Sequence, residues 1–326
     1  MTPLKPRTCI LVLAIVVIGA LLAAPFANAR STIRVGVADQ SPAMFSAPQY
    51  QALKMKRTRY FVPANVMSNP AELAKATNFV NAARAAGVST LLHVSTSDLR
   101  AKRGPLVSTA NYKTRIGKIV VYFRRLGVRD FGAWNEVNHK TQETWNHVGH
   151  AASYFKSMWT AVHTRCPTCG IVGLDVLDQA GVDKYMASFY GRLSATWRKR
   201  LKVVGIHNYS DVNRSRTTGT AKIIRTARKF NRATKFWFTE TGALAAFGRS
   251  FPYSLSRQAS RIKNMFTYAS RYRSLGVERV YSYNWFGAES TNCATNCKFD
   301  AGLVNPNGTT RPVYAVFKAK LANFSR

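Results

Sequence analysis

Short apolar runs of four or five residues recur along the chain, and stretches with a helical period lie between them. Eight runs read as strands: Ile33–Val37, Arg59–Val62, Thr90–Val94, Asp130–Trp134, Ile171–Leu174, Val203–Ile206, Lys235–Phe238 and Arg279–Tyr283. Three junctions repeat one pattern. Ala85-Ala86-Gly87-Val88 leads into Thr90–Val94, Arg125-Leu126-Gly127-Val128 into Asp130–Trp134, and Ser274-Leu275-Gly276-Val277 into Arg279–Tyr283. In each, a helical pattern stops at a glycine suited to a left-handed cap, and an apolar strand follows at once. This is the αβ half of a βαβ repeat.

Helix starts agree. Asn69-Pro70-Ala71-Glu72 places a cap residue, then proline at the first helical position, then a glutamate. That helix runs to about Ala86. Others are expected over Tyr112–Leu126, His150–Arg165, Asp183–Trp197, Ala221–Asn231 and Leu255–Leu275, with a last one after Arg311-Pro312. Eight strands alternating with helices over about 290 residues predict a single-domain α/β fold, a (β/α)8 TIM barrel over residues 30–326. A doubly wound open sheet is the alternative. It lacks support because Val37-Ala38-Asp39-Gln40, after the first strand, is not a glycine-rich phosphate turn.

The first 29 residues follow another logic. Lys5 and Arg7 precede an apolar run from Cys9 to Ala24, and Ala27-Asn28-Ala29 fits a small-x-small cleavage site. Residues 1–29 read as a signal peptide. An uncleaved anchor is the competing reading, although the run is short against the roughly 20 apolar residues of a span. The expected protein is therefore secreted, extracellular or cell-wall associated, free of the membrane after cleavage, and a monomer. Four cysteines then remain, as local pairs: Cys166 with Cys169, and Cys293 with Cys297. An even count in an exported chain suggests two structural disulfides. A four-cysteine zinc site or a redox role for the first pair stays open.

Charge narrows the partners. The chain has 48 Lys+Arg against 14 Asp+Glu, a formal net charge of +34. Attraction to polyanions follows, such as acidic wall polymers or uronic-acid glycans. The basic residues are spread out and form no nucleic-acid module. The six histidines show no metal-ligand spacing, so neither metal nor cofactor is expected.

Scarce carboxylates make their positions informative. Trp134-Asn135-Glu136-Val137-Asn138-His139 and Trp237-Phe238-Thr239-Glu240-Thr241-Gly242 each put a glutamate just past a short apolar strand. On the strand count, Glu136 follows strand four and Glu240 follows strand seven. Both then lie at the C-terminal face, where barrel active sites form. Two facing carboxylates are the equipment for cleaving a glycosidic bond. One must be neutral to protonate the leaving group, and the other must stay ionised to attack. Glu136, beside Trp134 and near His207, is expected to have the raised pKa. Glu240, near Arg59 and a tyrosine, is expected to stay charged.

Asn135-Glu136 after strand four and Glu240 after strand seven resemble the signature of clan A glycoside hydrolases, which include families 5 and 39 and are retaining (β/α)8 enzymes. The resemblance implies Glu136 as general acid/base, Glu240 as nucleophile, and Asn135 as a ligand of the sugar 2-hydroxyl. His207-Asn208-Tyr209 is similar to the clan's His-x-Tyr, with Tyr209 touching the nucleophile and His207 near the acid/base. Arg59 resembles the arginine that supports the nucleophile, and Trp285 the aromatic platform beneath the sugar. Val137 departs from the proline that many clan members have after the acid/base, which puts the family more than the mechanism in question. His93, Asn138 and His139 are further candidates for the cleft wall, and Asp175, Asp178 and Asp211 could contact substrate or balance cations. The implied activity is retaining hydrolysis of a β-linked, anionic or wall-associated glycan. Two other readings share these residues: a non-catalytic barrel binding anionic cell-wall polymer, and a transglycosylase.

Overall fold

All eight expected strands form in the computed structural model, which describes residues 30–96, 104–288 and 297–326. They are β1 (Ser31–Ala38), β2 (Arg57–Pro63), β3 (Ser89–Ser95), β4 (Asp130–Gly132), β5 (Gly170–Leu177), β6 (Val203–His207), β7 (Lys235–Thr241) and β8 (Val277–Tyr283). Adjacent strands pair in parallel from β2 through β8, and β8 pairs with β1. β1 lies beside β2 across the closure, while Phe324–Ser325 adds a short parallel pairing to the start of β1. This is the expected (β/α)8 barrel, and Ser31–Arg326 forms one unit. The proposed signal segment and Cys293 lie outside the described residues.

The helices form for the anticipated reasons. Asn69 accepts the Glu72 N–H at 3.3 Å and Pro70 opens the helix Pro70–Ala85. Ser108 and Ser254 cap Thr109–Arg125 and Leu255–Arg271 in the same way. One expectation changes: the span Asp183–Trp197 is two helices, Val182–Gly191 and Ala195–Arg200. Ser194 interrupts it by accepting the Trp197 N–H as a fresh cap. Two of the elements that were not anticipated bear on the site. A single turn-and-a-half of helix, Tyr209–Arg214, follows β6, and a two-stranded ribbon pairs Ala246–Gly248 with Cys297–Asp300 beside the barrel mouth.

Apolar side chains fill two layers. The larger joins the outer faces of the strands to the helices, with Phe131, Phe155, Phe236 and Phe317 all fully buried. The smaller occupies the barrel interior, where Leu91, Val172, Val203, Trp237 and Tyr281 pack together. Arg279 lies 3.7 Å from the Trp237 ring centre and pairs with Asp130 at 2.6 Å. Above this plug the interior turns polar, and the site begins. Cys166 and Cys169 are disulfide-bonded and Cys297 is bonded too, so these thiols are not metal ligands. Among the described residues no helix is long and apolar enough to cross a membrane.

Candidate active site

Glu136 leaves β4 in an unusual way. β4 ends two residues earlier than the apolar pattern suggests, at Gly132. The chain remains tied to both neighbours: Ala133 N–H donates to Val172, Asn135 N–H to Val94 and Val137 N–H to the Asp175 carbonyl. Glu136, between the last two, is held with a left-handed backbone, φ 47°. That conformation is costly for a residue with a Cβ, and it aims the carboxylate into the barrel mouth. Glu240 reaches the same place from β7, where the ladder slips in register against both β6 and β8. One oxygen of each carboxylate lies within 4.8 Å of the other and of a His207 ring nitrogen.

A buried ion network supports the two glutamates. Arg59, fully enclosed on β2, donates from Nη1 to Glu240 Oε2 at 2.7 Å, from Nε to His93 Nδ1 at 3.1 Å, and from Nη2 to the Asn135 carboxamide oxygen. Tyr209 donates its hydroxyl to Glu240 Oε1 at 3.2 Å. His207 bridges: Nδ1 is 2.9 Å from Glu136 Oε1 and Nε2 is 2.9 Å from Asp175 Oδ2. Asp175, wholly buried on β5, also accepts the Thr239 hydroxyl and lies 3.8 Å from Arg59 Nη2. Two glycines make room. A Cβ on Gly205 would sit 1.8 Å from Asp175 Oδ1, and one on Gly132 would sit 1.8 Å from the His93 ring.

The protonation states follow from these contacts. Burial disfavours charge on His207, but Asp175 and Glu240 and the hydrogen bonds to Asp175 and Glu136 overcome it, and its pKa is pushed up to about 10. His93 goes the other way: burial lowers it to about 3, so the ring is neutral and free to accept from Arg59. Burial would lift Asp175, yet His207, His93 and Arg59 hold it far below the ordinary carboxylate range. For Glu136, burial is outweighed by the His207 hydrogen bond and charge, and the carboxyl is lowered. Glu240 is raised, by burial first and by the Glu136 and Asp175 charges, against the pull of His207 and Arg59. This reverses the expected order for the resting site. The cause is His207, whose imidazolium pairs with Glu136 more closely (2.9 Å) than with Glu240 (3.8 Å). Glu136, His207 and Glu240 are close enough to surround a cation, but a protonated imidazole and an arginine-bound carboxylate are poor donors for one.

Above the network opens a cleft of about 610 Å³ at the C-terminal ends of the strands. Asn135, Glu136, Tyr209 and Glu240 line it as expected, with His139 beside them. Other candidates take different places. Arg59, His93 and His207 are buried beneath the cleft floor and act on the residues that line it. Asn138 is also buried; its carboxamide exchanges two hydrogen bonds with the Leu177 backbone and so ties the β4 loop to β5. Trp285 is no platform. Its backbone N–H and that of Phe286 donate to Asp39 Oδ2 at 2.9 Å, which draws the loop toward β1 and turns the indole into the core against Tyr50 and Tyr314. Tyr283, the last residue of β8, lines the cleft instead, with Phe61 opposite at 6.2 Å between ring centres. Phe247, Phe251 and Phe299, on or beside the ribbon, form an aromatic outer wall. Asp178 lines the cleft and accepts the Ser210 and Asp211 N–H groups at 3.1 and 2.6 Å, while Asp211 accepts those of Gly219 and Thr220 and lies 3.5 Å from Arg216.

No protein-family profile matches this chain, and no curated protein matches it in sequence. Its fold, by contrast, is shared with solved glycosidases. A glucosidase from Croceicoccus marinus superposes with a TM-score of 0.66 at 13% identity, covering 90% of this chain and 67% of that one. A GH39 enzyme from Xanthomonas axonopodis pv. citri gives 0.60 at 15% identity, covering 91% and 68%. Fungal β-1,4-galactanases give 0.62 at 14% identity, covering 87% and 98%. The likeness is one of fold: a (β/α)8 barrel shared with these solved glycosidases.

Proposed function

We propose that the protein is an exported, retaining glycoside hydrolase acting on a β-linked glycan by double displacement. The observation that carries this reading is the pair Glu136 and Glu240, at the ends of β4 and β7 with oxygens within 4.8 Å. Retaining enzymes hold their carboxyls about 5–5.5 Å apart, whereas inverting ones need about 6.5–9.5 Å to admit a water. Arg59 and Tyr209 present Glu240 as the nucleophile. Its oxygen attacks the anomeric carbon while the leaving oxygen takes a proton from Glu136. Water, deprotonated by Glu136, then hydrolyses the glycosyl ester.

The proton has an evident source. At neutral pH it resides on His207, along the 2.9 Å contact with Glu136. Its transfer to Glu136 generates the neutral acid. The same transfer removes both the Glu136 charge that lifts Glu240 and the His207 charge that lowers it, which leaves Arg59 to hold the nucleophile ionised. The two glutamates thus titrate as one unit. Asn135 uses its oxygen on Arg59, leaving its amide N–H groups for a sugar hydroxyl. Arg214 and Arg249 line the cleft with no carboxylate partner among the described residues, which supports an acidic sugar in or near the site.

The test is a screen of neutral and uronic β-linked oligosaccharides with the mature chain, reading the product anomer by NMR. Glu240→Gln is expected to cut turnover by about 10³-fold or more while leaving substrate affinity within a few fold. Initial release of the inverted anomer overturns retention. An unaltered rate overturns the enzyme assignment, and binding without turnover in the native chain favours the polymer-binding barrel.

A further inference from the structure

A second basic feature lies away from the cleft. Two adjoining hollows of about 820 and 400 Å³ run along the helix Thr109–Arg125 and toward the helix Val148–His163. They share Lys113, Gly117 and Arg165, and neither shares a residue with the catalytic cleft. Lys118 and Arg125 line one, Lys156 the other. None of these five cations has a carboxylate partner among the described residues. Gly117 sits mid-helix with open space where its side chain would be, so the floor is bare backbone between flanking cations. Lys113 to Arg125 spans 12 residues, about 18 Å of helix.

We propose that this groove binds a strand of acidic polysaccharide, holding the protein on its polymer independently of catalysis. Cations spaced along a trough with no compensating acid complement a linear chain of carboxylates. The lining supplies hydroxyls, such as Thr114 and Thr160, and a single aromatic residue, Tyr122, which is half-buried with its hydroxyl 2.9 Å from Thr77. That favours a glycan over single-stranded nucleic acid, which relies on stacking platforms.

Gly117 gives a clean test, because a side chain there meets nothing and improves helix propensity. The probe is a polygalacturonate oligomer, titrated calorimetrically into the full mature chain at low salt. Gly117→Ala is expected to bind like the native protein. Gly117→Glu places one carboxylate in the floor and is expected to weaken binding about tenfold or more. Ala319→Glu makes the same charge change on an exposed site of the helix Pro312–Leu321 and is expected to change it about twofold or less. Hydrolysis of a small neutral glycoside should be the same in all three, and the binding result stands whether or not the chain hydrolyses anything. The groove is overturned if Ala319→Glu weakens binding as much as Gly117→Glu, or if Gly117→Glu has no effect. Tighter binding of single-stranded DNA with the same Gly117→Glu sensitivity overturns the glycan assignment in favour of nucleic acid.

Discussion

The mouth of the barrel and its outer helical shell treat charge in opposite ways. Beneath the mouth, Arg59 and His207 are packed within a few ångströms of Asp175, Glu136 and Glu240, and each of these five has a partner of opposite sign. On the shell, Lys113, Lys118, Arg125 and Arg165 face solvent without one. The few acids there, Glu72, Asp183 and Glu278, are half-buried and each pairs with a lysine. No carboxylate among the described residues is fully exposed. The net charge is thus a separation by sign, with acids drawn inward to hold the site and bases left outside. Solvent screens the outer set, whereas the inner set has only its partners.

Breaking the inner network should therefore have the largest effect. Asp175→Asn leaves Arg59 and His207 short of a counter-charge, and a loss of about 3–5 kcal/mol in denaturant unfolding is expected. A loss below about 1 kcal/mol would mean that the network is not self-contained. The pH dependence comes next. His207 binds its proton more tightly folded than unfolded, so its contribution is complete below about pH 6.5 and fades as pH climbs toward about 10. Asp178, raised to about 7 by burial with Asp211 adding, also favours the protonated fold, so its contribution fades between its ordinary 3.8 and about 7. The unfolding midpoint should fall in both ranges, and Asp178→Asn should flatten only the lower one. The smallest effect belongs to the shell: Lys75→Ala, which removes the exposed pair with Glu72, should cost no more than about 0.5 kcal/mol.

Much of this was legible in the chain. The glycine stops after Ala86 and Leu126 and the apolar runs beyond them place β3 and β4, and two scarce glutamates at strand ends mark the mouth. The contacts of Arg59 and Tyr209 with Glu240, and of His207 with Glu136, fall where the resemblance puts them. What was not legible depends on chain direction beyond the strands. Trp285 reads as a cleft aromatic because it follows β8, but its backbone bond to Asp39, 246 residues away in sequence, decides where the ring goes. Asp175 reads as a possible counter-charge and is one, but which cations it meets was not legible, because they come from β2, β3 and β6. The ribbon that carries Phe247 and Phe299 joins segments about 50 residues apart and has no periodic signature. The protonation order of the glutamates depends on which one His207 approaches more closely, which a sequence does not encode locally.

The left-handed backbone at Glu136 has an evolutionary consequence. The proposed chemistry needs a carboxylate where the backbone prefers glycine or asparagine, a mismatch of roughly 1 kcal/mol. Glu136→Gly should thus be inactive yet lose little stability from the backbone itself. In a lineage released from selection for turnover, this position would drift toward glycine ahead of its neighbours.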